Sequence, residues 1–516
     1  MNLTIFTHIH YYQNSKKWLR VYSGDMRATR TKYLVLFLVA PLVVFTVVVL
    51  VTQDPEKYSW SSFSSPGTWR PGFSSSYFAA SSMVEAPTNS PIINLSPIEK
   101  KETLKHNESV DAVATNVVRR YSTLEKIEAS LAKARSSIKE AALIRNLTSI
   151  HKDQDYVPNG PMYRNANAFH RSYLEMEKQF KIYVYEEGEL PLFHNGHCKS
   201  IYSSEGKFIN DMEQDRFYRT RDPDKASVYF LPFSVVMMVH FLYEKTTNSL
   251  DPIGDTIIDY INTISTKYSF WNRSQGADHA MLSCHDWGPE ISGYVPQLYN
   301  KSIRVLCNAN TSEGFNPIKD VSLPEINLIF GKIQGPLGGP SPSSRPILAF
   351  FAGRLHGDIR SLLLKEWENK DKDVQVYQEV PVGVSYDAML KSSRFCLCPS
   401  GYEVASPRVV EAIYAECVPV LISSSYVPPF SDVLNYKAFS VQVEVKDIPN
   451  IKNILMGISQ RQYLRLHRRV KQIQRHFVVN DPPKRFDVFH MIVHSIWLRR
   501  LNMHIEDRPI LVNHDG

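Results

Sequence analysis

The chain has 516 residues, 43% of them hydrophobic and 22% charged, an ordinary globular composition with enough length for two or three domains. The formal net charge is +7, but residues 1–32 hold six Lys or Arg against one Asp and so carry +5 of it. The remainder is nearly neutral, which argues against a nucleic-acid partner.

An uncharged apolar segment follows the basic tail. Residues 33–51, YLVLFLVAPLVVFTVVVLV, match the roughly 20 residues that a helix needs to cross a bilayer. Basic residues precede the segment, and Asp54 and Glu56 follow it, so residues 1–32 are predicted to be a cytosolic tail. A cleaved signal peptide is the competing interpretation, disfavoured by the long polar lead and the lack of a small-x-small cleavage site. The sequence therefore predicts a type II membrane protein with a signal anchor.

Residues 52–155 are predicted to be a lumenal stem. As far as residue 100 the stem has twelve Ser and six Pro, typical of a disordered or O-glycosylated spacer. A helix is predicted at about 117–145, where apolar residues recur with 3,4 spacing: Leu124, Ile127, Leu131, Ala134, Ile138 and Ala141. This seam could pair with another chain as a homo- or hetero-oligomer, or dock on its own catalytic domain, and its two Ala positions favour docking.

Two stretches, 156–335 and 346–500, alternate strand-like and helix-like segments. Elements predicted in the first stretch are strands at 182–185, 227–233 and 303–307 and a helix at 255–268. The second repeats the alternation through ILAFFAG, a helix at 358–369, VQVY, FCLC, VPVLI and FSVQV. The segment GPLGGPSPSSRP between them is predicted to be a hinge. The predicted fold is α/β, with two Rossmann-like domains facing a cleft.

The segment CLCPSGYEVASPRVVEAIYAECVPVLISSSYVPPFSDVL, residues 396–434, reads as strand, loop, helix and strand. Ser400 and Gly401 in the loop would let backbone approach a ligand closely, and a helix opening near Ser406 would present free N–H groups to a phosphate. Arg408 in the first turn would oppose the helix dipole, so its presence suits an anionic ligand. The segment is typical of a ligand-binding βαβ unit.

Glu403 and Glu411 flank this helix start, as carboxylates do around the hydroxyls of bound nucleotide sugars. Together with KIYVYEEGELPLFH, IYSSEGKFINDME, DPDKASVYFLPFS, YSFWNRSQGADHAMLSCHDWGP and ILAFFAGRLHGDIR, the segment makes residues 181–500 resemble the exostosin family of glycosyltransferases, family 47, in its plant cell-wall branch. The resemblance implies the GT-B arrangement of two domains, a Golgi address and inversion at the anomeric carbon. Glu416 departs from the Gly of many relatives and is predicted to change a helix C-cap rather than the site.

A sugar nucleotide donor needs positive charge where its diphosphate leaves. Arg354 and Arg360 follow the strand ILAFFAG and, with Arg408, are predicted to clamp the phosphates, although Arg360 could equally be a surface helix residue. Glu411 is predicted to bind the ribose, as the resemblance implies. The predicted donor site comprises Arg354, Arg360, Ser400, Gly401, Glu403, Ser406, Arg408 and Glu411.

A general base for the acceptor hydroxyl is expected from the first domain, within GADHAMLSCHDWGP. Asp278, His279, His285 and Asp286 flank one short apolar strand there, and one or two of them are predicted to act. Each histidine could equally be a core or loop residue.

Three Asp-x-Asp pairs raise the possibility of a metal: Asp153/Asp155, Asp222/Asp224 and Asp371/Asp373. None follows an apolar strand, as a metal-holding pair would, and the second resembles a turn. Metal-independent chemistry is therefore predicted, with no cofactor besides the donor substrate and with arginines in place of the ion.

Cysteines and sequons both fit a lumenal catalytic part. Six Cys allow up to three disulfides in fifteen pairings, and no pairing is readable from the sequence. Cys396 and Cys398 are predicted to be buried thiols or part of one disulfide rather than metal ligands. Candidate N-glycosylation sites are Asn94, Asn107, Asn146, Asn272, Asn300 and Asn310.

The sequence thus predicts a Golgi type II inverting glycosyltransferase that moves a sugar from a nucleotide diphosphate to a cell-wall polysaccharide or glycan. Two alternatives stay open: a non-catalytic scaffold subunit of a polysaccharide synthase complex, and a Golgi sulfotransferase. The sulfotransferase alternative lacks support, because no Gly-rich phosphate loop follows an early lumenal strand in this sequence.

Overall fold

The computed structural model describes residues 121–144, 147–333 and 337–506, all within one compact unit, Ala112–Gly516. The predicted tail, the anchor at 33–51 and most of the stem lie outside the described residues. Within the described ranges, no helix combines the length and the apolar character that a bilayer span requires.

The stem prediction meets the structure in helix α1, Thr123–Leu143. Ser122 and Glu125 form a reciprocal capping box at its start, which satisfies two backbone donors. Its seam residues Leu124, Leu131, Ala134 and Ala141 are buried, and α1 packs along α2, Ala166–Gln179. The apolar face is therefore docked on the chain's own body and is not available to a second helix.

The first sheet is six-stranded and parallel, in the order β2-β1-β3-β4-β5-β6. Its strands are β1 Ile182–Val184, β2 Arg219–Thr220, β3 Val228–Leu231, β4 His279–Ser283, β5 Ile303–Leu306 and β6 Val321–Ser322. The helices along it are α3 Ser203–Gln214, α4 Val235–Leu242, α5 Asp251–Lys267, α6 Ser269–Ser274, α7 Gly288–Ser292 and α8 Pro296–Asn300. Strands β1, β3 and β4 are buried on both faces, as expected for a covered parallel sheet.

The second sheet is five-stranded and parallel, in the order β11-β10-β9-β7-β8. Its strands are β7 Ile347–Ala352, β8 Val374–Tyr377, β9 Ser393–Pro399, β10 Val418–Ile422 and β11 Val441–Val443. The helices that accompany it are α9 Asp358–Trp367, α10 Tyr386–Ser392, α11 Arg408–Tyr414, α12 Ile451–Met456 and α13 Gln460–Ile473. Ligands of such sheets lie at the carboxyl ends of the strands, so these two edges direct the search for a site.

Segments near both ends of the described chain contact the sheet to which they do not belong in sequence. The last helix, α14 Val488–Leu501, follows the second sheet in sequence but packs against β5, β6, α1 and α2 on the first. In the opposite direction, the backbone N–H of Arg164 donates to the carbonyl of Val433 at 2.9 Å. Residues 346–500 were predicted to form the second domain, but their last helix lies on the first sheet, because α14 buries its apolar residues there.

Two disulfides join neighbouring strands. Cys284 and Cys307 directly follow β4 and β5, and Cys396 in β9 is bonded to Cys417 just before β10. Cys198 and Cys398 are free thiols. Of the two alternatives predicted for Cys396 and Cys398, each holds for one residue: Cys396 is half of a disulfide with Cys417, and Cys398 is a buried thiol.

Candidate active site

Two glycines let the loops after β7 and β9 touch. Gly357 has φ +82°, and a Cβ on it would lie 2.6 Å from the carbonyl carbon of Gly401. A Cβ on Gly401 would lie 2.3 Å from the His356 ring, so neither position has room for a side chain without movement. This approach brings His356 Nε2 within 2.9 Å of the Glu403 carboxylate.

Arg408 is fixed at the carboxyl end of β7. Its Nη2 and Nε donate to the carbonyl oxygen of Ala352 at 3.0 and 3.3 Å, and Nη1 donates to Ser406 Oγ at 3.2 Å. A Cβ on Gly353 would lie 2.2 Å from Nη2, so the glycine makes room for the guanidinium. Helix α11, which Arg408 begins, has only seven residues, and the arginine rather than a long helix dipole supplies the positive charge here.

Arg360 joins Arg408 from the first turn of α9. Its side chain is buried, and Nε has no hydrogen-bond partner among the described residues. Burial, followed by the charge of Arg408, lowers the pKa of Arg360 to about 10. A buried guanidinium with a donor to spare, beside a second one, is suited to an anion such as a diphosphate.

Glu411 lies on α11 near this pair of arginines. It accepts a hydrogen bond of 2.8 Å from the hydroxyl of Tyr386, the first residue of α10. Burial and the charge of Glu411 raise the pKa of Tyr386 well above its usual range, so the tyrosine remains a donor. The half-buried carboxylate is thus held in one orientation and suited to accept from a sugar hydroxyl.

Asp286 reaches the same region from the first sheet. It follows β4, and the hydroxyl of Tyr202 donates to its Oδ2 at 2.7 Å. Burial raises the pKa of Asp286 to about 7, and the negative charges of Glu403 and Glu313 act in the same direction. A carboxylate with a pKa near neutrality can take up a proton during a reaction.

Glu325 lies between Asp286 of the first sheet and the arginines of the second. The sequence analysis did not predict it as a site residue. It follows β6 and is 5% exposed, and its neighbours in the chain are clamped because Ser203 Oγ and Ser204 Oγ donate to the carbonyls on either side of it. Burial raises its pKa well above the usual range, as do Asp286 and Glu403, whereas Arg360 and Arg408 lower it. The signal was one acidic residue inside the apolar run VSLPEINLI.

Asp278 and His279 require a correction as candidate catalytic residues. They lie at the amino end of β4, whereas His285 and Asp286 follow its carboxyl end. Although burial raises the pKa of Asp278, its bonds to His279 and Arg273 bring it down to about 2. His279 is fully buried and its Nε2 bonds the hydroxyl of Tyr185 at 2.8 Å. Both side chains are satisfied within the core and serve the fold.

Other predicted residues have structural partners. Arg354 is 68% exposed and pairs with Glu379 at 2.7 Å, so it does not join the buried arginines. Ser400 Oγ donates to the carbonyl of Val404, which closes the β9 loop. His285 is half-buried and accepts at Nδ1 from the N–H of Trp287 at 3.1 Å.

The Asp-x-Asp pairs are occupied by protein groups. Asp222 caps a short turn through the N–H of Asp224, Asp371 and Asp373 both pair with Lys452, and Asp153 pairs with Arg485. Across the described ranges, no group of three or more His, Cys, Asp and Glu is arranged to hold a metal ion. Metal independence stays a prediction.

Carboxylates from one parallel sheet thus face arginines and carboxylates from another across the loops that follow their strands. The chain is thus an α/β protein in which charged side chains gather between the edges of two parallel sheets. Comparison with known proteins narrows the class: residues 176–458 match the family model described as the Exostosin GT47 domain. A "Probable glycosyltransferase" of Arabidopsis thaliana is 61% identical over 415 residues, 80% of this chain and 79% of that protein. The chain belongs to the exostosin GT47 family and is a glycosyltransferase.

More distant relatives carry more specific names. The chain is 25% identical over 387 residues to a "Probable glucuronoxylan glucuronosyltransferase" of Arabidopsis thaliana, covering 68% of this chain and 79% of that protein. It is 27% identical over 352 residues to a "Probable beta-1,4-xylosyltransferase" of the same plant, covering 62% and 81%.

Proposed function

We propose that this glycosyltransferase moves a sugar from a nucleotide diphosphate to a plant cell-wall polysaccharide, with inversion at the anomeric carbon and without a metal ion. The observation that carries the proposal is the meeting of Asp286 with Glu403, Arg360 and Arg408 across the two sheet edges. The GT-B arrangement of a donor domain facing an acceptor domain accounts for this meeting. The names of the distant relatives favour a xylan-type acceptor.

Each group has a role in the proposed step. The acceptor hydroxyl loses its proton to Asp286 as its oxygen bonds the anomeric carbon from the face opposite the donor phosphate. The carbon–phosphate oxygen bond breaks, and the nucleoside diphosphate leaves with the electron pair. Arg360 and Arg408 stabilise the charge that develops on it, and Glu411 holds the ribose. Only one base is required, which suits a single inverting displacement.

The cellular setting is part of the proposal. The apolar segment at 33–51 and the basic tail before it support a single-pass type II anchor, with the catalytic part in the Golgi lumen. The two disulfides suit an oxidising compartment. Protease protection of the described part in sealed microsomes, together with colocalisation with a Golgi marker, is the expected result. Digestion without detergent would contradict this orientation.

The test of the chemistry is donor binding followed by transfer. We expect one nucleotide sugar of a panel to raise the melting temperature of the purified chain, equally with and without EDTA, and Glu411→Gln to abolish this shift. The same donor should then extend a xylan oligosaccharide, and the anomeric configuration of the product should be opposite to that of the donor. Loss of the shift in EDTA would overturn metal independence, and a folded chain that no donor stabilises would favour the scaffold alternative.

A further inference from the structure

Four aromatic side chains form a continuous row that begins beside Asp286. The ring of Tyr202 lies 5.0 Å from that of His285, His285 lies 5.1 Å from Trp287, and Trp287 lies 4.9 Å from Tyr243, as centroid distances. All four side chains are half-buried, so each packs on the protein while part of it stays accessible. We call Tyr202, His285, Trp287 and Tyr243 the aromatic row.

The aromatic row stands on a rigid base. The loop after β4 is tied down by the Cys284–Cys307 disulfide and by the N–H of Cys284, which donates to the buried carboxylate of Glu205 at 2.8 Å. A Cβ on Gly288 would lie 2.6 Å from Ser283 Oγ, so glycine lets α7 fold back over the strand end directly after Trp287. The rings are thus positioned before any ligand arrives, which lowers the entropy cost of binding.

The chemistry of the aromatic row matches a sugar chain. A pyranose presents C–H groups on its faces and hydroxyls around its rim, and tilted aromatic rings with polar tips complement both surfaces. The charges of Glu403 and Glu313 both raise the pKa of Asp286, and both are negative. An anionic chain such as a polyuronate would be repelled at this end, whereas the paired arginines lie on the other sheet and serve the donor.

We propose that the aromatic row is an acceptor subsite that binds several residues of a neutral polysaccharide and delivers its terminal hydroxyl to Asp286. This inference rests on the proposed function, since it names the acceptor class for the same site. The first ring pair, Tyr202 and His285, flanks Asp286 and holds the acceptor end. Trp287 and Tyr243 lie further along and contact sugar residues remote from the reaction. These two therefore set the preference for long chains over short ones.

The test compares a xylohexaose with a xylobiose as probes on the full-length, detergent-solubilised chain. Binding of each probe is measured by calorimetry without donor, and acceptor KM is measured with it. We expect Trp287→Leu and Tyr243→Leu each to lower the hexamer-to-dimer affinity ratio by about fivefold to tenfold, the loss of one stacking contact. Donor-induced thermal stabilisation should be unchanged. Trp287→Phe keeps an aromatic ring and should retain most of the affinity ratio. This variant shows whether the effect of Trp287→Leu comes from lost stacking or from a folding defect.

The controls separate this inference from the proposed function. Phe217→Leu removes an aromatic side chain that is 51% exposed and outside the aromatic row, and should leave the ratio unchanged. A hexagalacturonate should bind no better than the dimer of xylose. If the leucine variants lower the affinity for the hexamer but no sugar is transferred by the parent, the subsite is supported and the proposed reaction fails. If transfer occurs with an unchanged length preference in both leucine variants, or if the polyuronate binds best, the subsite is overturned.

Discussion

At the scale of single residues, the site depends on charges that come from different parts of the chain. Asp286 and Glu325 follow strands of the first sheet, and Glu403 and the paired arginines follow strands of the second. A negative charge close to a carboxyl group makes loss of its proton less favourable, so each carboxylate raises the pKa of the next. The arginines counteract this, which keeps a dense cluster of acids compatible with a folded protein.

Asp286→Asn should reduce the transfer rate by about 10²–10⁴-fold, the usual contribution of a positioned base. In the parent enzyme kcat/KM should rise with pH through about 7, because the base acts when ionised. Glu313→Gln removes a negative charge that acts on Asp286 and should shift this profile to lower pH with little loss of rate. An unshifted profile together with full activity of Asp286→Asn would exclude Asp286 as the base.

The same carboxyl links stability to pH. The pKa of Asp286 is raised from 3.8 in the unfolded chain to about 7 in the folded one, so the folded state binds the extra proton between these values. Stability from this group is therefore full below about 4 and is lost as the pH rises through about 7. Asp286→Asn should raise the melting temperature more at pH 8 than at pH 5. A larger gain at pH 5 would reverse the sign of the linkage.

Arg408→Gln should lower the transfer rate by about 10²–10³-fold, because it removes preorganised positive charge from the leaving diphosphate. The matched control is Arg354→Gln, which removes an exposed arginine from a surface pair and should change the rate little. Single-turnover kinetics with saturating donor would measure both. Equal losses in the two variants would return Arg354 to the donor site.

At the scale of elements, the end of α11 shows how one position accommodates an unusual residue. Glu416 has φ 54°, in the left-handed region that favours glycine after a helix. Its buried carboxylate pairs with Lys471 Nζ on α13 at 3.0 Å. The residue therefore caps α11 and contacts α13, as expected for a change at the helix end rather than in the site.

Substitutions at Glu416 should separate backbone strain from side-chain contact. Glu416→Ala and Glu416→Gly both remove the carboxylate, but only Ala keeps a Cβ in the left-handed conformation. We expect the Gly variant to be more stable than the Ala variant by about 1 kcal/mol, from urea unfolding. Catalytic rates of the two should be alike. A more stable Ala variant would show that the unfolded-chain entropy of Gly outweighs the strain.

At the scale of the whole molecule, α14 joins the first sheet to helix α1. Arg500 on α14 is 1% exposed, donates from Nε to the carbonyl of Ser227 at 2.8 Å, and pairs through Nη2 with the buried carboxylate of Glu128 on α1. The helix that ends the second stretch of sequence thereby joins the first sheet to the stem helix. Removal of either helix should disturb the first sheet as well.

Glu128→Ala should destabilise the fold by about 3–5 kcal/mol, because Arg500 would remain buried without its carboxylate. Glu140→Ala, an exposed position on the same helix, serves as the control and should be within about 0.5 kcal/mol of the parent. Chemical denaturation of both variants measures the difference. A small cost for Glu128→Ala would mean that water reaches Arg500 and replaces the lost carboxylate.

Sequence patterns by themselves determined the α/β class, most strands and the donor loop, because buried parallel strands and glycine-bounded turns are local features with strong periodicity. They placed Asp286 and Glu403 in loops after strands, and Arg408 and Glu411 on the helix that follows β9, as the structure has them. Only the tertiary structure decided which end of β4 faces the site and that Arg354 points to solvent. It also decided that Glu325 joins the cluster and that α14 returns to the first sheet. Each of these depends on contacts between residues far apart in the chain. Burial and charge in the folded protein decide such contacts, and no local pattern encodes them.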